Sequence, residues 1–384
     1  MRDSLPTLAK FIPATSEERT AVAEVLFREY GWRLTSHALA RAINTSSSDV
    51  FRTVVEPVGA IILKISSWFH PPKFGGEERV IRSLNAVYEL SERLRGKGVP
   101  LAPTLASKSG AWVVSCDRRP AVVMSCVEGV PFNLSDEHFI ASGAALGQFH
   151  AMGRGWLDEH SGQEEALQKM ILVEMPYEES RTLYGESMRT DLRQPHIGCQ
   201  APEVCAAVRE QMEFLDQTIS FIDASGINAK ERAHGILHND VNGGNILFAP
   251  DGSVSAFLDF DQASFGPFVW DLGNTLTSFM TEFLKKNPEG DRQSKVRLFL
   301  QAYHTANALP VEEYALILAA TQRWDVMRIL RSLRRHHYED NRLSGLLSKI
   351  KERLLPRLER MPILFSFLTE NWIRENVLNP VKDF

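Results

Sequence analysis

The stretch His234–Leu276, HGILHNDVNGGNILFAPDGSVSAFLDFDQASFGPFVWDLGNTL, decides the fold of this chain. Two short apolar runs inside it, NILF and SAFL, flank a Pro-Asp-Gly turn centred on Asp251. Apolar runs of this length on either side of such a turn predict a β-hairpin with a slightly long turn. When the chain is folded about Asp251, Asn245 and Asp259 come within a residue or two of facing each other.

The mouth of this hairpin carries two hard oxygen donors, the carboxylate of Asp259 and the amide oxygen of Asn245. Such a pair suits Mg²⁺, which takes few protein ligands and leaves its other positions to water and substrate phosphate. Asp240 precedes Asn245 by five residues, and His238 precedes Asp240 by two. A single Asp or Asn in a loop is more often a turn or capping residue, so the combination is what carries the prediction.

The order and spacing of these residues match the groups used for phosphoryl transfer to an alcohol. In that chemistry one Asp accepts the hydroxyl proton, and an Asn and a second Asp hold the metal. The spacing His238-x-Asp240-x-x-x-x-Asn245, followed by an apolar strand that ends in Asp259, provides all of them. We therefore interpret Asp240 as the catalytic residue and Asn245 with Asp259 as the metal ligands.

With these residues the sequence resembles the aminoglycoside phosphotransferase and choline kinase family, the small-molecule branch of the protein-kinase-like fold. The family signature is approximately H-G-D-x-x-x-x-N-hydrophobic, then I-D-F-D or I-D-W-E, then G-P and D-L-A/G. The matching positions are His238, Asn239, Asp240, Asn245, Asp259, Asp261, Gly266, Pro267, Asp271 and Leu272. The departure is Asn239, where Gly is commoner. The match is dense in this stretch and thinner elsewhere.

The resemblance implies a bilobal α+β fold with a small antiparallel-sheet lobe followed by a mainly helical lobe. We place the N-terminal, nucleotide-covering lobe at residues 1–127 and the C-terminal lobe at 128–384. The linker between them would hydrogen-bond the adenine edge through the backbone around Ser125 and Val127. A chain of 384 residues is long enough for such a two-lobed unit.

The composition limits the class of protein. The chain is 44% hydrophobic and 24% charged, with a net charge of −5, which argues against bulk electrostatic binding to nucleic acid or to an anionic membrane. The N-terminus has no signal-peptide core and no apolar run approaches eighteen residues, so we predict a cytoplasmic protein without a membrane segment. The four cysteines (Cys116, Cys126, Cys199 and Cys205) lack metal or disulfide spacing, and we expect reduced thiols.

The N-terminal region reads as a capped helix followed by strands. Thr15-x-x-Glu18 predicts a capping box, and we expect strands at 40–43, 50–56, 60–66, 111–115 and 121–124. The polar loop between the first two strands contains Ser47, which the family resemblance places near the nucleotide phosphates. Polar loops between strands are common, so this interpretation has an equally ordinary alternative.

Lys64 is a lone charge in the apolar strand IILKI. A strand lysine more often points to solvent, but a buried one needs a partner. The resemblance implies that Lys64 pairs with the α- and β-phosphates and with a Glu from the next helix, which we expect from about Glu77 to Arg95. Glu77 lies on the extension of the buried stripe of that helix, whereas Glu89 has polar neighbours, and family loop lengths favour a position near Glu89. We choose Glu77.

The C-terminal lobe is predicted to be helical, with helices ending near 150–153 and spanning 202–224. Only eleven residues separate Asp259 from Asp271, too few for the segment on which protein kinases dock peptides, so a small acceptor is favoured. Asp271 should accept backbone N–H bonds from the loop that carries Asp240, which we call the catalytic loop. His238 should hold that loop, and Asp261 should assist the metal or support the loop.

A basic cluster lies near the end of the chain. Most such clusters are solvated helix faces, but residues lining the acceptor cleft would favour a carboxylate-bearing acceptor over a polycationic aminoglycoside. The cluster consists of Arg323, Arg328, Arg331, Arg334, Arg335, His336 and His337.

The sequence thus predicts ATP- and Mg²⁺-dependent phosphorylation of a hydroxyl group on a small molecule: an amino alcohol, hydroxy amino acid, sugar or antibiotic. The alternatives are a protein Ser/Thr kinase of the same fold, a Mg²⁺-dependent phosphohydrolase and a non-catalytic nucleotide-binding module. The sequence distinguishes neither ATP from GTP nor one acceptor or oligomeric state from another.

Overall fold

The computed structural model combines an antiparallel sheet in the N-terminal part with a mainly helical C-terminal part. This is the α+β architecture expected from the sequence. The predicted lobe boundary at 127/128 lies in the linker between the last strand of the sheet and the next short strand. The structure describes residues 11–35, 39–42, 48–66, 76–159, 181–182, 209–229, 231–338 and 355–378.

The N-terminal sheet is antiparallel throughout, with strand order β1-β3-β4-β5-β7-β6 and β2 added beside β4. The predicted strands are all present, and none of their ends is shifted by more than two residues. Its strands are β1 (Phe11–Pro13), β2 (Arg33–Leu34), β3 (Ala40–Ala42), β4 (Ser48–Glu56), β5 (Gly59–Ser66), β6 (Val113–Cys116) and β7 (Arg119–Ser125).

One helix covers each face of this sheet. Helix α1 (Ser16–Val25) has the predicted capping box, in which Thr15 Oγ1 accepts from the N–H of Glu18 at 3.2 Å and the N–H of Thr15 donates to Glu18 Oε2 at 2.8 Å. It continues as a wider helical turn over Leu26–Tyr30. Helix α2 (Glu77–Gly96) covers the opposite face and ends one residue beyond its predicted end.

The alternation along β5 decides which helix each side chain meets. Leu63 and Ile65 belong to the core cluster shared with α1, whereas Val122, which pairs with Lys64 across the strands, packs with Leu84 of α2. Because successive side chains of a strand point to opposite faces, Lys64 faces α2. Lys64 is therefore buried between the sheet and α2, and not directed to solvent.

The hairpin of β10 and β11, called the catalytic hairpin after the role predicted for Asn245 and Asp259, has the predicted form with one shift in register. β10 (Ile246–Phe248) pairs with β11 (Val254–Phe257), and β8 (Val130–Pro131) adds to its other side. The register slips by one residue between Leu247 and Phe248, which is a β-bulge. The N–H of Leu258 consequently donates to the carbonyl of Asn245 at 2.8 Å, so that Asn245 lies one residue closer to Asp259 than a bulge-free hairpin gives.

A second short ribbon and the helices complete the fold. In this ribbon β9 (His234–Leu237) pairs with β12 (Ser264–Pro267). The helices are α3 (Asp136–Glu159), α4 (Met212–Ala224), α5 (Phe268–Lys286), α6 (Arg292–Ala306), α7 (Val311–Tyr314), α8 (Ile317–Tyr338), α9 (Leu355–Leu364) and α10 (Glu370–Ile373). None of the helices within the described residues is long and apolar enough to cross a membrane.

The end predicted for the first helix of the C-terminal part was wrong. Helix α3 continues past residues 150–153 to Glu159. Gly153 does not stop the helix, because it serves a close approach in which a Cβ would lie 3.1 Å from Ile236 of β9. The helix predicted from residue 202 is observed from Met212, and residues 201–208 lie outside the described residues.

Helices α3 and α6 approach closely through small residues. Gly143 lies against the carbonyl of Phe299, and a Cβ on Gly147 would meet the carbonyl of Tyr303 at 2.7 Å. This contact orients α3, whose His150 reaches the centre of the C-terminal region. The packing of two helices therefore sets the position of a side chain next to the catalytic loop.

We predict that Gly143→Ala destabilises the protein by about 1–3 kcal/mol, because the added methyl group overlaps backbone that can move only by separating α3 from α6. Gly155→Ala in the same helix is the control, since no described atom lies within 4 Å of the point that its Cβ would occupy. That control should be neutral or stabilising by up to about 1 kcal/mol. Urea unfolding of the three proteins measures the difference, and equal stabilities of the two variants would contradict the packing argument.

Candidate active site

The loop between β9 and β10 brings Asp240 and Asn245 together. Asn245 Nδ2 donates to both the carbonyl oxygen and Oδ2 of Asp240, each at 2.9 Å. Asn242 Nδ2 donates to Asp240 Oδ1 at 3.1 Å. Both carboxylate oxygens of Asp240 are thus held by amides, and the half-buried side chain has a fixed orientation at the open side of the loop.

The backbone conformation at residue 239 accounts for the one departure from the family signature, which is Asn239 in place of Gly. Its φ of +63° lies in the left-handed region, where Gly is the least strained residue and Asn is the best tolerated residue with a side chain. Its amide also contributes, because Nδ2 donates to the carbonyl of Gln262 at 2.8 Å and to Ser264 Oγ at 2.6 Å. Asn therefore keeps the backbone turn and ties it to the segment that follows Asp259.

Asp271, in the first turn of α5, accepts the backbone hydrogen bonds predicted for it. The N–H groups of His238 and Asn239 donate to its two carboxylate oxygens, each at 2.7 Å. His150 Nε2 lies 3.1 Å from Asp271 Oδ2, and His150 Nδ1 lies 2.7 Å from the hydroxyl of Tyr303. Burial lowers the pKa of His150, so it is a neutral hydrogen-bonding side chain and not a ligand.

His238 holds the loop and is not placed to move a proton. Its Nδ1 accepts from the backbone N–H of Asp240 at 3.3 Å. The ring is buried, and burial lowers the pKa of His238 despite the opposing charges of Asp271 and Asp259. A neutral imidazole that is enclosed in this way stabilises the turn. Asn274 of α5, to which no motif in the sequence points, donates to the carbonyl of Asn239 from the other side.

Asp259 lies two residues after the end of β11 and near Asp240, close enough for its charge to act on that carboxylate. Burial would raise the pKa of Asp259, but the ammonium of Lys64 outweighs it, and the pKa is lowered. For Asp240 burial comes first and the charge of Asp259 second, and together they raise its pKa to about 7. Asn242, Arg328 and Asn245 oppose that rise.

The donor set at this point fits Mg²⁺. Both hydrogen bonds of the Asn245 side chain use Nδ2, so Oδ1, the atom that a hard cation prefers, forms none with the described part of the chain. Asp259 is half-buried, ionised and next to it. One amide oxygen and one carboxylate are an ordinary protein contribution for a metal that keeps water and phosphate as its other ligands.

Lys64 crosses from the N-terminal sheet to this site. Its Nζ lies 2.5 Å from Asp259 Oδ1 and 2.6 Å from Asp261 Oδ2, and Asp261 is almost fully buried. Burial alone would lower the pKa of Lys64, but the two carboxylates raise it above its usual value, so the ammonium stays charged. Lys64 therefore joins β5 to the end of the catalytic hairpin.

The predicted helix partner of Lys64 was wrong, both for Glu77 and for the alternative Glu89. Glu77 accepts a hydrogen bond from Ser115 Oγ at the first turn of α2, and the exposed Glu89 pairs with Arg93. The residue of α2 that reaches the Lys64 cluster is Tyr88, whose hydroxyl donates to Asp261. Tyr88 is about 16 Å further along the helix axis than Glu77, which is too far for either to replace the other.

Of the two linker residues predicted to hydrogen-bond the adenine, one has its backbone N–H already hydrogen-bonded within the protein. The N–H of Ser125 donates to the carbonyl of Pro103 at 2.9 Å, and that of Cys126 donates to Ala60 at 3.1 Å. The backbone of Val127 forms no hydrogen bond with the described residues. Val127 is thus the better candidate for contact with a base. Ser47 lies outside the described residues.

Two arginines of the basic cluster differ in their surroundings. Arg323 is buried, with its guanidinium 3.5 Å above the ring of Trp270 and its Nε 3.2 Å from Asn228 Oδ1. Arg328 is half-buried, and its charge acts on Asp240. The side chains of the other five members lie outside the described residues.

The chain is similar to proteins of known activity. Its residues 40–308 match the model of the phosphotransferase enzyme family. It is 25% identical over 241 residues to the homoserine kinase of Methylobacillus glycogenes, covering 62% of this chain and 65% of that protein. It is 25% identical over 231 residues to the homoserine kinase of Neisseria meningitidis serogroup B, covering 59% and 64%. These matches span just under two thirds of the relatives' length.

Solved structures share the fold. An amicoumacin kinase in complex with AMP-PNP and Ca²⁺ superposes with a TM-score of 0.58 at 15% identity, covering 90% of this chain and 93% of that one. A microcompartment-associated aminopropanol kinase gives 0.54 at 16% identity, covering 91% and 98%. The family match covers well over half of the residues and includes the whole catalytic stretch, and the resemblance seen in the sequence is confirmed. The chain belongs to the phosphotransferase enzyme family.

Proposed function

We propose that this protein transfers the γ-phosphoryl group of ATP to a hydroxyl group of a small molecule. The observation that carries the proposal is the convergence of Asp240, Asn245 and Asp259 beneath Lys64. Phosphoryl transfer depends on positioning and on charge stabilisation, and these four side chains provide both. The AMP-PNP complex of the structurally similar kinase supports ATP as the donor.

In this mechanism Asp240 orients the acceptor hydroxyl and takes its proton. A bond forms between the acceptor oxygen and the γ-phosphorus, the bond from the γ-phosphorus to the β,γ-bridging oxygen breaks, and ADP leaves. Lys64 neutralises the α- and β-phosphates. A Mg²⁺ ion held by Asn245 and Asp259 would supply positive charge at the β- and γ-phosphate oxygens. Asp271 and His238 keep the loop in the conformation that points Asp240 at the acceptor.

The segment between Asp259 and Asp271 supports a small acceptor. It forms one 3₁₀ turn (Phe260–Gln262), then β12, and passes directly into α5. It therefore contains no extended surface on which a peptide could dock, which disfavours a protein Ser/Thr kinase. A two-metal phosphohydrolase is disfavoured as well, since within the described residues no group of three or more His, Cys, Asp or Glu could hold a metal. The complete catalytic set argues against a non-catalytic module.

The acceptor we favour is a hydroxy amino acid, with homoserine as the first candidate. Helices α5 and α8 run antiparallel, because Gly273 lies against Ala320 while Trp270 lies against Arg323. Continuing along α8 in the same direction leads beyond the N-terminus of α5. Helix α5 therefore ends before this part of α8, where Arg328 lies.

Arg328 stands at that point. Arg328 lies two helical turns after Thr321 on the same face of α8. Gly273 of α5 packs against α8 at Thr321. The charge of Arg328 reaches Asp240. A guanidinium whose charge acts on the proposed catalytic carboxylate suits an acceptor whose hydroxyl and carboxylate are a few bonds apart. The homoserine kinases among the relatives support the same class of acceptor.

Replacing the proposed catalytic and metal residues should separate turnover from folding. We expect Asp240→Asn to lower kcat by roughly 10²–10⁴-fold while ATP binding is retained, because only the proton acceptor is lost. Asp259→Asn should abolish turnover and remove the Mg²⁺ dependence of ATP binding. Asp251→Asn, in the exposed turn of the same hairpin, is the control and should keep full activity. Coupled ADP formation and calorimetric ATP titration measure these effects, and full turnover in either site variant would contradict the assignment.

The raised pKa of Asp240 predicts how stability depends on pH in the nucleotide-free, metal-free protein. The folded chain binds this proton more tightly than the unfolded chain does, so stability falls as pH rises from about 4 to about 7. Asp240→Asn has no charge to bury and escapes that loss. The melting temperature of the variant minus that of the wild type should therefore increase over this interval and level off above it. A difference independent of pH would contradict the raised pKa.

The acceptor proposal is tested with L-homoserine and 3-amino-1-propanol, which differ only by the carboxylate. We expect the kcat/KM of the wild type for homoserine to exceed that for the amino alcohol by at least about 10-fold, the value of one charge-assisted contact. Arg328→Gln should remove that preference and leave the KM for ATP unchanged. Arg297→Gln, an exposed arginine on α6, is the control. Equal use of both compounds by the wild type, or an unaltered preference in Arg328→Gln, would reject the carboxylate subsite.

A further inference from the structure

Tyr88 links helix α2 to the nucleotide side of the site through Asp261. Its side chain is 2% exposed, and its hydroxyl donates to Asp261 Oδ1. The other carboxylate oxygen, Oδ2, accepts from Lys64 Nζ at 2.6 Å and from Ser66 Oγ at 3.3 Å. The two oxygens of Asp261 are therefore divided between α2 on one side and β5 on the other.

The hydroxyl of Tyr88 is not needed for packing. The ring lies among apolar side chains, Val80 and Leu84 of α2 and Val113 and Val122 of the sheet, where a phenylalanine would fill the same space. A hydroxyl buried in such surroundings is unfavourable unless it is hydrogen-bonded. Burial, followed by the charge of Asp261, raises the pKa of Tyr88 well above its usual value, so the phenol keeps its proton and remains a donor.

Asp261 is the anchor of Lys64 that does not serve the metal. Lys64 has two carboxylate partners, and Asp259 is the one we assign to Mg²⁺. Asp261 is almost completely buried, and each of its oxygens already has a protein partner, which suits a fixed support better than a metal ligand. The position of the Lys64 ammonium thus depends on how rigidly Asp261 is held.

We propose that Tyr88 is a positioning residue for the phosphate-binding lysine. It fixes Asp261, which fixes Lys64, and it thereby ties the orientation of α2 to the nucleotide phosphates. In this protein the series of contacts Tyr88–Asp261–Lys64 takes the place that a direct ion pair between Lys64 and a helix glutamate was expected to fill. This inference rests on the proposed function, since it assumes that Lys64 contacts the phosphates of ATP.

Tyr88→Phe tests the proposal with little change in shape. We expect kcat/KM for ATP to fall by about 10-fold or more, as for loss of a hydrogen bond to a charged group. The KM for the acceptor should stay the same. Tyr30→Phe is the matched control, because Tyr30 is a buried tyrosine on the opposite face of the same sheet whose hydroxyl has no hydrogen-bond partner among the described residues.

Two further measurements distinguish positioning from general stabilisation. Binding of ATP and of adenosine should be compared, since only ATP has the phosphates that Lys64 would contact. Tyr88→Phe should weaken ATP binding and leave adenosine binding as in the wild type, whereas a general loss of structure would weaken both. In an Asp261→Asn background Tyr88→Phe should have no further effect on kcat/KM, because both changes break the same series of contacts.

The outcomes separate this inference from the proposed function. A wild-type protein that neither binds nor consumes ATP would refute the function itself. An active wild type with unchanged kinetics in Tyr88→Phe would refute the positioning role alone. Equal weakening of ATP and adenosine binding would also refute it. So would a double variant in which the fold-losses of kcat/KM from Tyr88→Phe and from Asp261→Asn are multiplied together.

Discussion

The structure depends on one buried cation that is held by two carboxylates. Lys64 extends from the central strand of the N-terminal sheet and meets Asp259 and Asp261 at the end of the catalytic hairpin. Moving three charges away from water is unfavourable, and their mutual attraction offsets that cost only if the geometry is good. Ser66 and Tyr88 supply the additional hydrogen bonds to Asp261 that this requires. The sheet, α2 and the hairpin consequently keep one relative arrangement.

A similar set of shared contacts builds the catalytic loop. One carboxylate, Asp271, accepts hydrogen bonds from two successive backbone N–H groups, and the neutral His150 hydrogen-bonds the same carboxylate from α3. His150 is in turn placed by α3, whose glycines allow it to pack closely against α6. The orientation of Asp240 therefore depends on helix packing some distance away, because a loop without regular structure takes its shape from the rigid elements that bind it.

Much of the site could be predicted because its residues are close in sequence. Asp240, Asn245 and Asp259 lie on one hairpin and the loop that leads into it, so local spacing and turn chemistry were sufficient to bring them together. The bulge within the hairpin shifted the strand register by one residue. The alternation of side chains between the two faces of a strand does not show where such a bulge occurs. The residue of α2 that contacts Asp261 beside Lys64 could not be predicted, because the sequence does not show whether Glu77, Tyr88 or Glu89 faces the hairpin. That choice is made by the packing of the helix on the sheet.

The sequence by itself determined the family, the α+β fold and the identity of the groups on the catalytic hairpin, since each of these follows from local patterns within one stretch. Only the tertiary structure decided that Lys64 pairs with Asp261, that Tyr88 donates to the same carboxylate, and that the charge of Arg328 acts on Asp240. These contacts join residues more than eighty positions apart or on separate elements. Which of several similar side chains meets its partner there is fixed by how the helices pack, and no short-range pattern in the chain encodes that.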